Sequence, residues 1–274
     1  MIGKKREKKF KIGFYLDCFN IFSKSKHSQI TIFIILALAI VVVLLLILMQ
    51  RENFRVILTQ KAPIDLIREC SLQVLDDSVN LISSQGGSIN PQNYYLYNGT
   101  KIEYLCYNTE YYKNCIMQKP LLKQSIEKEI KKEIEPKIVD CFRFQKDELE
   151  KKGYNFIYKN PVINVSIIPN NIKVTIDSDL KISKKKTESY KTIKILKSSE
   201  LYDLIMIANS ILNLEARYGE SEIMSYMIFY PNLRVEKKKQ DEGTNIYILT
   251  DKNTQDKFVF ASRSFAIPSG VTGK

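Results

Sequence analysis

The chain has 274 residues, of which 45% are hydrophobic and 26% are charged, a composition typical of globular proteins. Lys and Arg together outnumber Asp and Glu by 42 to 30, but most of these basic residues are Lys, whereas planar bidentate recognition of phosphate favours Arg. The charge therefore indicates a modest preference for anionic surfaces, and we expect no specific nucleic-acid partner.

An uninterrupted apolar segment occupies residues 30–49, which contain no charge, Gly or Pro. At about 1.5 Å of rise per residue, a helix of this length matches a hydrocarbon core of roughly 30 Å, so the segment predicts a membrane-spanning helix. A removable secretory signal has a shorter apolar region, about 7 to 15 residues, that ends at a small-residue cleavage site. Residues 30–49 are therefore interpreted as a retained signal anchor.

A basic tail precedes this segment at residues 1–29. It contains eight Lys or Arg residues against Glu7 and Asp17, and such an excess predicts a cytoplasmic N-terminus, with the chain from about residue 50 onward outside the cell membrane. The tail fits either an amphipathic segment on the anionic inner leaflet or a disordered basic extension.

Four of the five cysteines follow the predicted span, at Cys70, Cys106, Cys115 and Cys141. An even number of cysteines in an oxidising compartment predicts disulfides, and of the three ways to pair four cysteines into two bonds we favour one. A Cys106–Cys115 bond closes a short loop, and a Cys70–Cys141 bond joins two predicted helices. Because the second bond encloses a long loop, the chain-entropy model gives it a contribution of about 4 kcal/mol to stability. One alternative is a metal site, which is disfavoured because no two of these cysteines have CxxC spacing. The other alternative is that all four are free thiols.

The first extracytoplasmic element is a helix over residues 64–82. Pro63 fits its first turn, Gly86-Gly87 ends it, and its apolar side chains recur at helical spacing. The predicted apolar stripe consists of Ile64, Ile67, Cys70, Val74 and Leu81.

A Tyr-rich stretch follows at residues 88–120, around the turn dipeptide Asn98-Gly99. Asn-Gly between residues of high strand preference predicts a hairpin, with strands near 93–97 and 101–107. The tyrosines fit either a stacking platform for sugars or bases, or cross-strand pairs that stabilise the hairpin. No Arg is interleaved with them, which favours the structural interpretation.

A second amphipathic helix is predicted over residues 121–142, with Pro136 expected to kink it or to start a new helix, and with Cys141 at its end. Its opposite face is rich in Lys and Glu, as is typical of a solvated surface. The apolar stripe consists of Leu121, Leu122, Ile126, Ile130, Ile134, Ile138 and Phe142.

Beyond Gly153 the pattern predicts mostly strands, with one clear helix that begins after a Ser198 or Ser199 cap and one or two further helical turns at 222–229. The predicted strands are 156–168, 172–182, 189–196, 233–236, 245–250 and 257–265. We therefore predict an α+β fold: an N-terminal transmembrane helix and an ectodomain of antiparallel strands with two or three packed amphipathic helices.

Four segments follow from these predictions. They are a cytoplasmic tail at 1–29, a transmembrane helix at 30–49, a disulfide-containing unit of helix, hairpin and helix at 50–152, and an antiparallel sheet with one helix at 153–274.

Residues with catalytic chemistry are few. The only histidine, His27, lies before the predicted span, which excludes His-dependent hydrolysis and His-ligated zinc from the ectodomain, and no Walker or dinucleotide fingerprint is present. We expect neither an enzyme nor a cofactor site. The carboxylate pairs Asp76 with Asp77 and Asp177 with Asp179 are the remaining candidates for a glycosidase-type site.

Two kinds of surface signal remain. The Lys runs 184–186 and 237–239 are predicted at hairpin turns, where solvated turns explain them better than an anionic ligand site. The sequons at Asn98 and Asn164 indicate surface positions open to glycosylation.

The residues around the start of the apolar segment, Lys26-His27-Ser28-Gln29-Ile30-Thr31-Ile32-Phe33, resemble the class III signal segment of archaeal type IV pilin-like proteins. The resemblance implies cleavage on the cytoplasmic side, between Ser28 and Gln29, with the hydrophobic helix kept in the mature protein. Phe33 stands where that family has an acidic residue, and Ser28 stands where Gly or Ala is usual.

The wider pattern also resembles a group of single-pass membrane proteins of small-genome archaea. The matching features are the Gln-x-Thr-x-Phe anchor, a helix with Cys70 that ends at Gln85-Gly86-Gly87, the Tyr-rich stretch, a second helix that reaches Cys141, and the C-terminal residues 258–264. This resemblance implies location and not activity.

The leading hypothesis is a membrane-anchored cell-surface protein with an interaction or structural role, of which a pilin-like role is one form. Its expected partners are the lipid bilayer and a protein partner or further copies of the chain. One alternative is an ectodomain that binds an anionic polymer or glycan through the Tyr-rich hairpin and the Lys turns. A second is an extracytoplasmic hydrolase that uses carboxylates.

Overall fold

A computed structural model of the protein describes residues 32–45 and 61–267, which belong to two separate compact units, 1–60 and 61–274. Residues 32–45 form helix α1, all of whose side chains are exposed. Among the residues that the structure describes, no helix combines the length and the apolar character needed to cross a bilayer. Ser28, Gln29 and the rest of the predicted tail lie outside the described ranges, as do the two ends of the predicted span.

The second unit has an α+β fold, which confirms the predicted class. Its helices are α2 (Pro63–Ser84), α3 (Leu122–Lys151), α4 (Leu201–Tyr218) and α5 (Met224–Phe229). Its strands are β1 (Tyr94–Tyr97), β2 (Thr100–Tyr107), β3 (Ile116–Met117), β4 (Asn155–Ile157), β5 (Val162–Ile168), β6 (Asn171–Ser183), β7 (Thr187–Ser198), β8 (Leu233–Lys239), β9 (Thr244–Asp251) and β10 (Lys257–Arg263).

Helix α2 begins with Pro63 in its first turn, as predicted, and its predicted stripe is buried in part: Ile64 and Ile67 are buried and Val74 packs against the core. Leu81, predicted on the packed stripe, is exposed. The face that packs includes three serines, which hid its periodicity in the sequence. It consists of Ile64, Ile67, Ser71, Leu75, Ser78, Val79 and Ile82, together with Ser83. Gly86 follows the helix with φ of +79°, and a side chain there would meet the Cβ of Glu103 at 2.8 Å, so only glycine fits this close approach.

Helix α3 has 30 residues and runs through Pro136 without a break, so the alternative in which Pro136 starts a new helix is wrong. The predicted stripe is buried from Leu122 to Phe142, whereas Leu121 lies just before the helix and is exposed. Apolar residues four apart lie on one helix face, and this spacing buries them together. The helix packs against α2, and a disulfide joins Cys70 to Cys141 with a Cα–Cα distance of 6.1 Å.

The first sheet has the strand order β1-β2-β10-β9-β8, with β3 added to β2. Asn98 and Gly99 both have positive φ in the β1–β2 turn, which is the backbone that the predicted Asn-Gly hairpin requires. All its pairs are antiparallel except that of β10 with β2, which is parallel. The expectation of purely antiparallel strands is therefore wrong here, because the last strand inserts beside β2. Segments from both sides of Gly153 thus share one sheet.

In the second sheet, β6 pairs antiparallel with β4, β5 and β7. The strand predicted over 156–168 is divided into β4 and β5, and the break contains Pro161, which has no N–H to donate. Buried residues of both sheets and of helices α2, α3 and α4 form one apolar core. A smaller apolar cluster lies on the opposite face of the first sheet, around Ile102 and Tyr104.

Candidate interaction surface

Helix α5 and the residue after it display large apolar side chains to solvent. Met224 is 60% exposed, Ile228 73%, Phe229 78% and Tyr230 55%. These four residues are called the apolar ridge below. A contiguous group of exposed apolar side chains is typical of a surface that contacts another molecule.

The ridge belongs to a helix that is attached to the rest of the fold. The Tyr226 hydroxyl and the Ser210 hydroxyl of α4 form a hydrogen bond of 2.7 Å. Ile223, Tyr226 and Met227 pack against the main core. One side of α5 is therefore anchored, so the exposure of the ridge is a property of the folded unit and does not arise from a detached segment.

The chain between α4 and α5 follows a left-handed turn at Gly219. This residue ends α4 with φ of 80°, and a Cβ there would lie 2.7 Å from the Cβ of Phe265 and 2.9 Å from the Asn114 side-chain oxygen. Two residues later, the Ser221 N–H donates to the Glu215 carboxylate at 3.2 Å. The entry to α5 is therefore held by a conformation that favours glycine and by a buried carboxylate.

Glu215 is fully buried at the centre of a polar network. Its carboxylate accepts hydrogen bonds from the Tyr247 hydroxyl and, at 3.1 Å, from the Ser262 hydroxyl, and it lies 3.7 Å from the Lys237 ammonium. Burial raises the pKa of Glu215, although these partners oppose the effect. Burial and the Glu215 charge also raise the pKa of Tyr247. The network therefore joins α4 to β8, β9 and β10.

Two further contacts extend the network. The Lys237 ammonium also pairs with Glu220 at 3.0 Å, and its hydrogen bond lowers the pKa of that carboxyl. The Ser264 hydroxyl donates to the Glu215 carbonyl at 2.7 Å and accepts the Cys115 N–H at 2.9 Å. Cys115 forms a disulfide with Cys106, with a Cα–Cα distance of 5.3 Å, which confirms the second predicted pair. This disulfide lies beside the network, because the Cys115 N–H donates to Ser264.

A groove of about 300 Å³ lies next to the ridge, between the start of α4, the segment after α5 and the β9–β10 turn. Its lining includes the carboxylates of Glu200, Asp203 and Asp251. Its other lining residues are Leu204, Ile207, Phe229, Tyr230, Pro231, Asn232, Leu233, Asn253 and Thr254. The groove therefore combines apolar walls with negative charge.

Asp256, in the β9–β10 turn, contacts the groove residue Glu200 and shapes the start of α4. Its carboxylate accepts the Glu200 N–H at 2.7 Å and the Ser199 hydroxyl at 2.8 Å, while the Ser199 hydroxyl accepts the Leu201 N–H. The predicted serine thus contributes to the cap, although Glu200 occupies the N-cap position. Burial raises the pKa of Glu200, and repulsion from Asp203 and other neighbouring carboxylates adds to the shift.

The acidic residues of the groove are not arranged as a metal site. Within the described parts of the chain, no three His, Cys, Asp or Glu side chains are grouped so that they could hold a metal ion.

Comparisons of the chain with protein-family models, curated proteins and solved structures find no match. The roles of the ridge and groove are therefore inferred from their own chemistry. The sequence predicted helical turns at 222–229 but not their exposure. The run Met227-Ile228-Phe229-Tyr230 could have indicated this exposure. Consecutive apolar residues point to different sides of a helix, and a helix this short cannot bury all of its sides.

The predicted Tyr-rich hairpin forms, and most of its tyrosines contribute to packing. Tyr104 is buried and its hydroxyl hydrogen-bonds to that of Thr244 at 2.8 Å. Tyr95, Tyr97 and Tyr107 pack around the smaller apolar cluster. The more exposed tyrosines of the stretch are Tyr94, Tyr111 and Tyr112.

The two Lys runs have different environments. Residues 184–186 lie in the β6–β7 turn, as predicted. Residues 237–239 instead end strand β8, and the turn follows at 240–243, so their predicted turn position is wrong. The physical reason is the burial of Lys237, whose ion pairs with Glu215 and Glu220 keep this segment in the sheet.

The predicted carboxylate pairs are engaged in separate contacts. Asp76 pairs with Lys197 of β7. Asp177 accepts the Thr192 hydroxyl at 2.5 Å, and Asp179 pairs with Lys159 at 2.6 Å.

The two sequon asparagines lie on the surface. Asn98 is exposed in the β1–β2 turn and Asn164 is exposed on strand β5.

Proposed function

We propose that the protein is anchored in the cell membrane by residues 30–49 and binds a protein partner, or further copies of itself, through an extracytoplasmic domain at residues 61–267. The observation that carries the binding role is the apolar ridge on α5. Three large side chains are exposed on a helix whose other side is anchored, and a fourth follows directly after it, which is typical of an interaction surface.

The location is supported by three features. Residues 30–49 have the length and apolar character of a span in the sequence, and the basic tail before them favours a cytoplasmic N-terminus. Two disulfides join all four cysteines of residues 61–267, and such bonds persist mainly in oxidising compartments.

A binding role accounts for the arrangement of the acidic groups better than catalysis does. The carboxylate of Glu215 is fully buried and both of its oxygens accept hydrogen bonds, which suits a structural centre and leaves no approach for a substrate. The ridge, by contrast, is open to solvent.

The direct test is crosslinking in the native membrane. A photoreactive amino acid replaces Ile228 in the full-length chain, and in a matched variant it replaces Phe144, which is 62% exposed on α3. We expect a discrete adduct from position 228 and none from position 144. The mass of the adduct distinguishes a second copy of the chain from another protein. Equal crosslinking at both positions, or none at 228, contradicts the binding role.

The location is tested separately, with a membrane-impermeant biotin reagent on whole cells. We expect Lys residues of 61–267 to be labelled and those of 1–29 to be protected. Sequencing of the native N-terminus examines the pilin-like processing: a mature chain that begins at Gln29 supports it, and an intact basic tail argues against it.

A further inference from the structure

We propose that the groove beside the apolar ridge binds an extended polypeptide segment in which a Lys or Arg lies next to a large apolar side chain. The inference rests on the proposed function, because it names the chemistry of the partner at the same surface.

The size and walls of the groove suit one large apolar side chain. Its floor contains Leu204, Ile207 and Leu233, which are buried by the fold, and its wall contains Phe229 and Tyr230, which project from the ridge. At about 300 Å³ the groove is at the small end of the range for binding pockets. A side chain of an extended segment fits this volume, whereas a folded element does not.

The negative charge of the groove favours a ligand with a cationic group. Within residues 61–267, neither Glu200 nor Asp203 has an ion-pair partner, and Asp251 is fixed by hydrogen bonds from the Asn253 and Thr254 N–H groups. One cation of the chain itself lies at this groove: the Lys252 ammonium donates to the Pro231 carbonyl at 2.7 Å, and the three lining carboxylates outnumber it. Repulsion among them is relieved when a Lys or Arg of the partner lies between them.

A membrane surface is a poorer match than a polypeptide. Anionic headgroups repel the carboxylates at the rim, and the six residues of α5 are too few for an interfacial amphipathic helix. A polypeptide supplies both the cation and the apolar side chain at the spacing of adjacent residues.

The test measures fluorescence anisotropy of labelled peptides with the full-length chain in a neutral detergent. Three peptides of equal length have the cores Lys-Phe-Lys-Leu, Glu-Phe-Glu-Leu and Lys-Ser-Lys-Ser in the same Gly-Ser frame. We expect the first to bind at least about tenfold more tightly than either of the others, and its affinity to fall as salt is raised. Equal binding of all three, or binding that salt does not weaken, overturns the inference.

Variants locate the binding. The double variant Glu200→Gln with Asp203→Asn, and separately Phe229→Ser, are expected to weaken the Lys-Phe-Lys-Leu peptide about tenfold or more. The matched controls on the solvent face of α3 are Asp140→Asn with Glu148→Gln, and Phe144→Ser, and these should leave the affinity unchanged. The same loss in the controls overturns the inference.

Other occupants are separate outcomes. If the chain binds phosphatidylcholine and phosphatidylserine vesicles and Phe229→Ser abolishes this binding, the ridge is assigned to lipid and the inference is overturned. If sedimentation shows a dimer that Phe229→Ser dissociates, the ridge is assigned to a second copy and the inference is overturned.

If position 228 crosslinks a different protein in cells while the basic apolar peptide does not bind, the proposed function stands and this inference fails. If the peptide binds but position 228 yields no adduct, the proposed function fails instead.

Discussion

Helices α3 and α5 differ in what holds them in place. In α3 a stripe of apolar side chains from Leu122 to Phe142 is buried, and charged residues cover the other face. In α5 the largest apolar side chains are exposed, and the helix is attached by its inner side and by polar contacts of the preceding turn with Glu215 and Lys237. Apolar burial thus positions α3, whereas α5 is held by a small apolar contact of its inner side together with polar contacts, and its exposed apolar side chains stay free to bind.

The strongest test of this contrast removes the polar support. Glu215→Leu leaves the Tyr247 hydroxyl, the Ser221 N–H and the Lys237 ammonium without their buried partner, and we expect a loss of about 3 to 5 kcal/mol in the free energy of unfolding. Denaturant titration measures it. Glu150→Leu, at an exposed position of α3, serves as the control and should change the stability by less than about 0.5 kcal/mol. Similar losses in both variants contradict a structural role for the network.

The second test shortens an isoleucine in each of the two helices and compares the losses of stability. Ile130→Ala removes a fully buried side chain of α3 and should cost about 2 to 5 kcal/mol, whereas Ile228→Ala on the ridge should cost less than about 0.5 kcal/mol. Both values come from denaturant midpoints. A large cost at Ile228 would show that the ridge is a packing surface of the isolated protein.

The third test uses pH. The pKa of Glu215 is raised by burial, so its carboxyl stabilises the fold below its ordinary pKa, and this contribution is lost as pH rises through the higher pKa of the folded state. Glu220 has a lowered pKa because Lys237 donates to it, so its smaller, solvent-screened contribution is lost as pH falls.

Melting temperatures across the acidic range measure both effects. Glu215→Gln should remove a decrease of stability with rising pH, and Glu220→Gln should remove a weak change of the opposite sign. The reverse assignment of the two slopes would show that burial does not dominate at Glu215.

The smallest effect is expected from Tyr226→Phe, which removes the hydroxyl that bonds to Ser210. This contact is exposed, so its loss should cost about 0.5 to 1 kcal/mol in global stability. Hydrogen exchange of the Tyr230 amide, which donates to the Tyr226 carbonyl, should become faster, while the amides of α3 keep their protection. Unchanged exchange at Tyr230 would mean that the apolar contacts of α5 alone position it.

Local patterns predicted much of this fold. The stripe of α3 recurs every four residues, so its buried face could be read without knowledge of its neighbours. The Asn98-Gly99 hairpin needs only the positive φ that these two residues tolerate. The disulfide partners followed from loop length and from the helices that the cysteines occupy, and the structure joins the same pairs.

By itself the sequence determined the α+β class and the surface placement of Asn98 and Asn164, because periodicity and turn chemistry are local properties, and it favoured the two cysteine pairs that the structure joins. Only the tertiary structure decided that β10 lies parallel to β2, that Lys237 meets buried Glu215, and that the apolar side chains of α5 are exposed beside an acidic groove. These features depend on which distant segments become neighbours. The sequence around an apolar residue is the same whether that residue packs into the core or contacts another molecule.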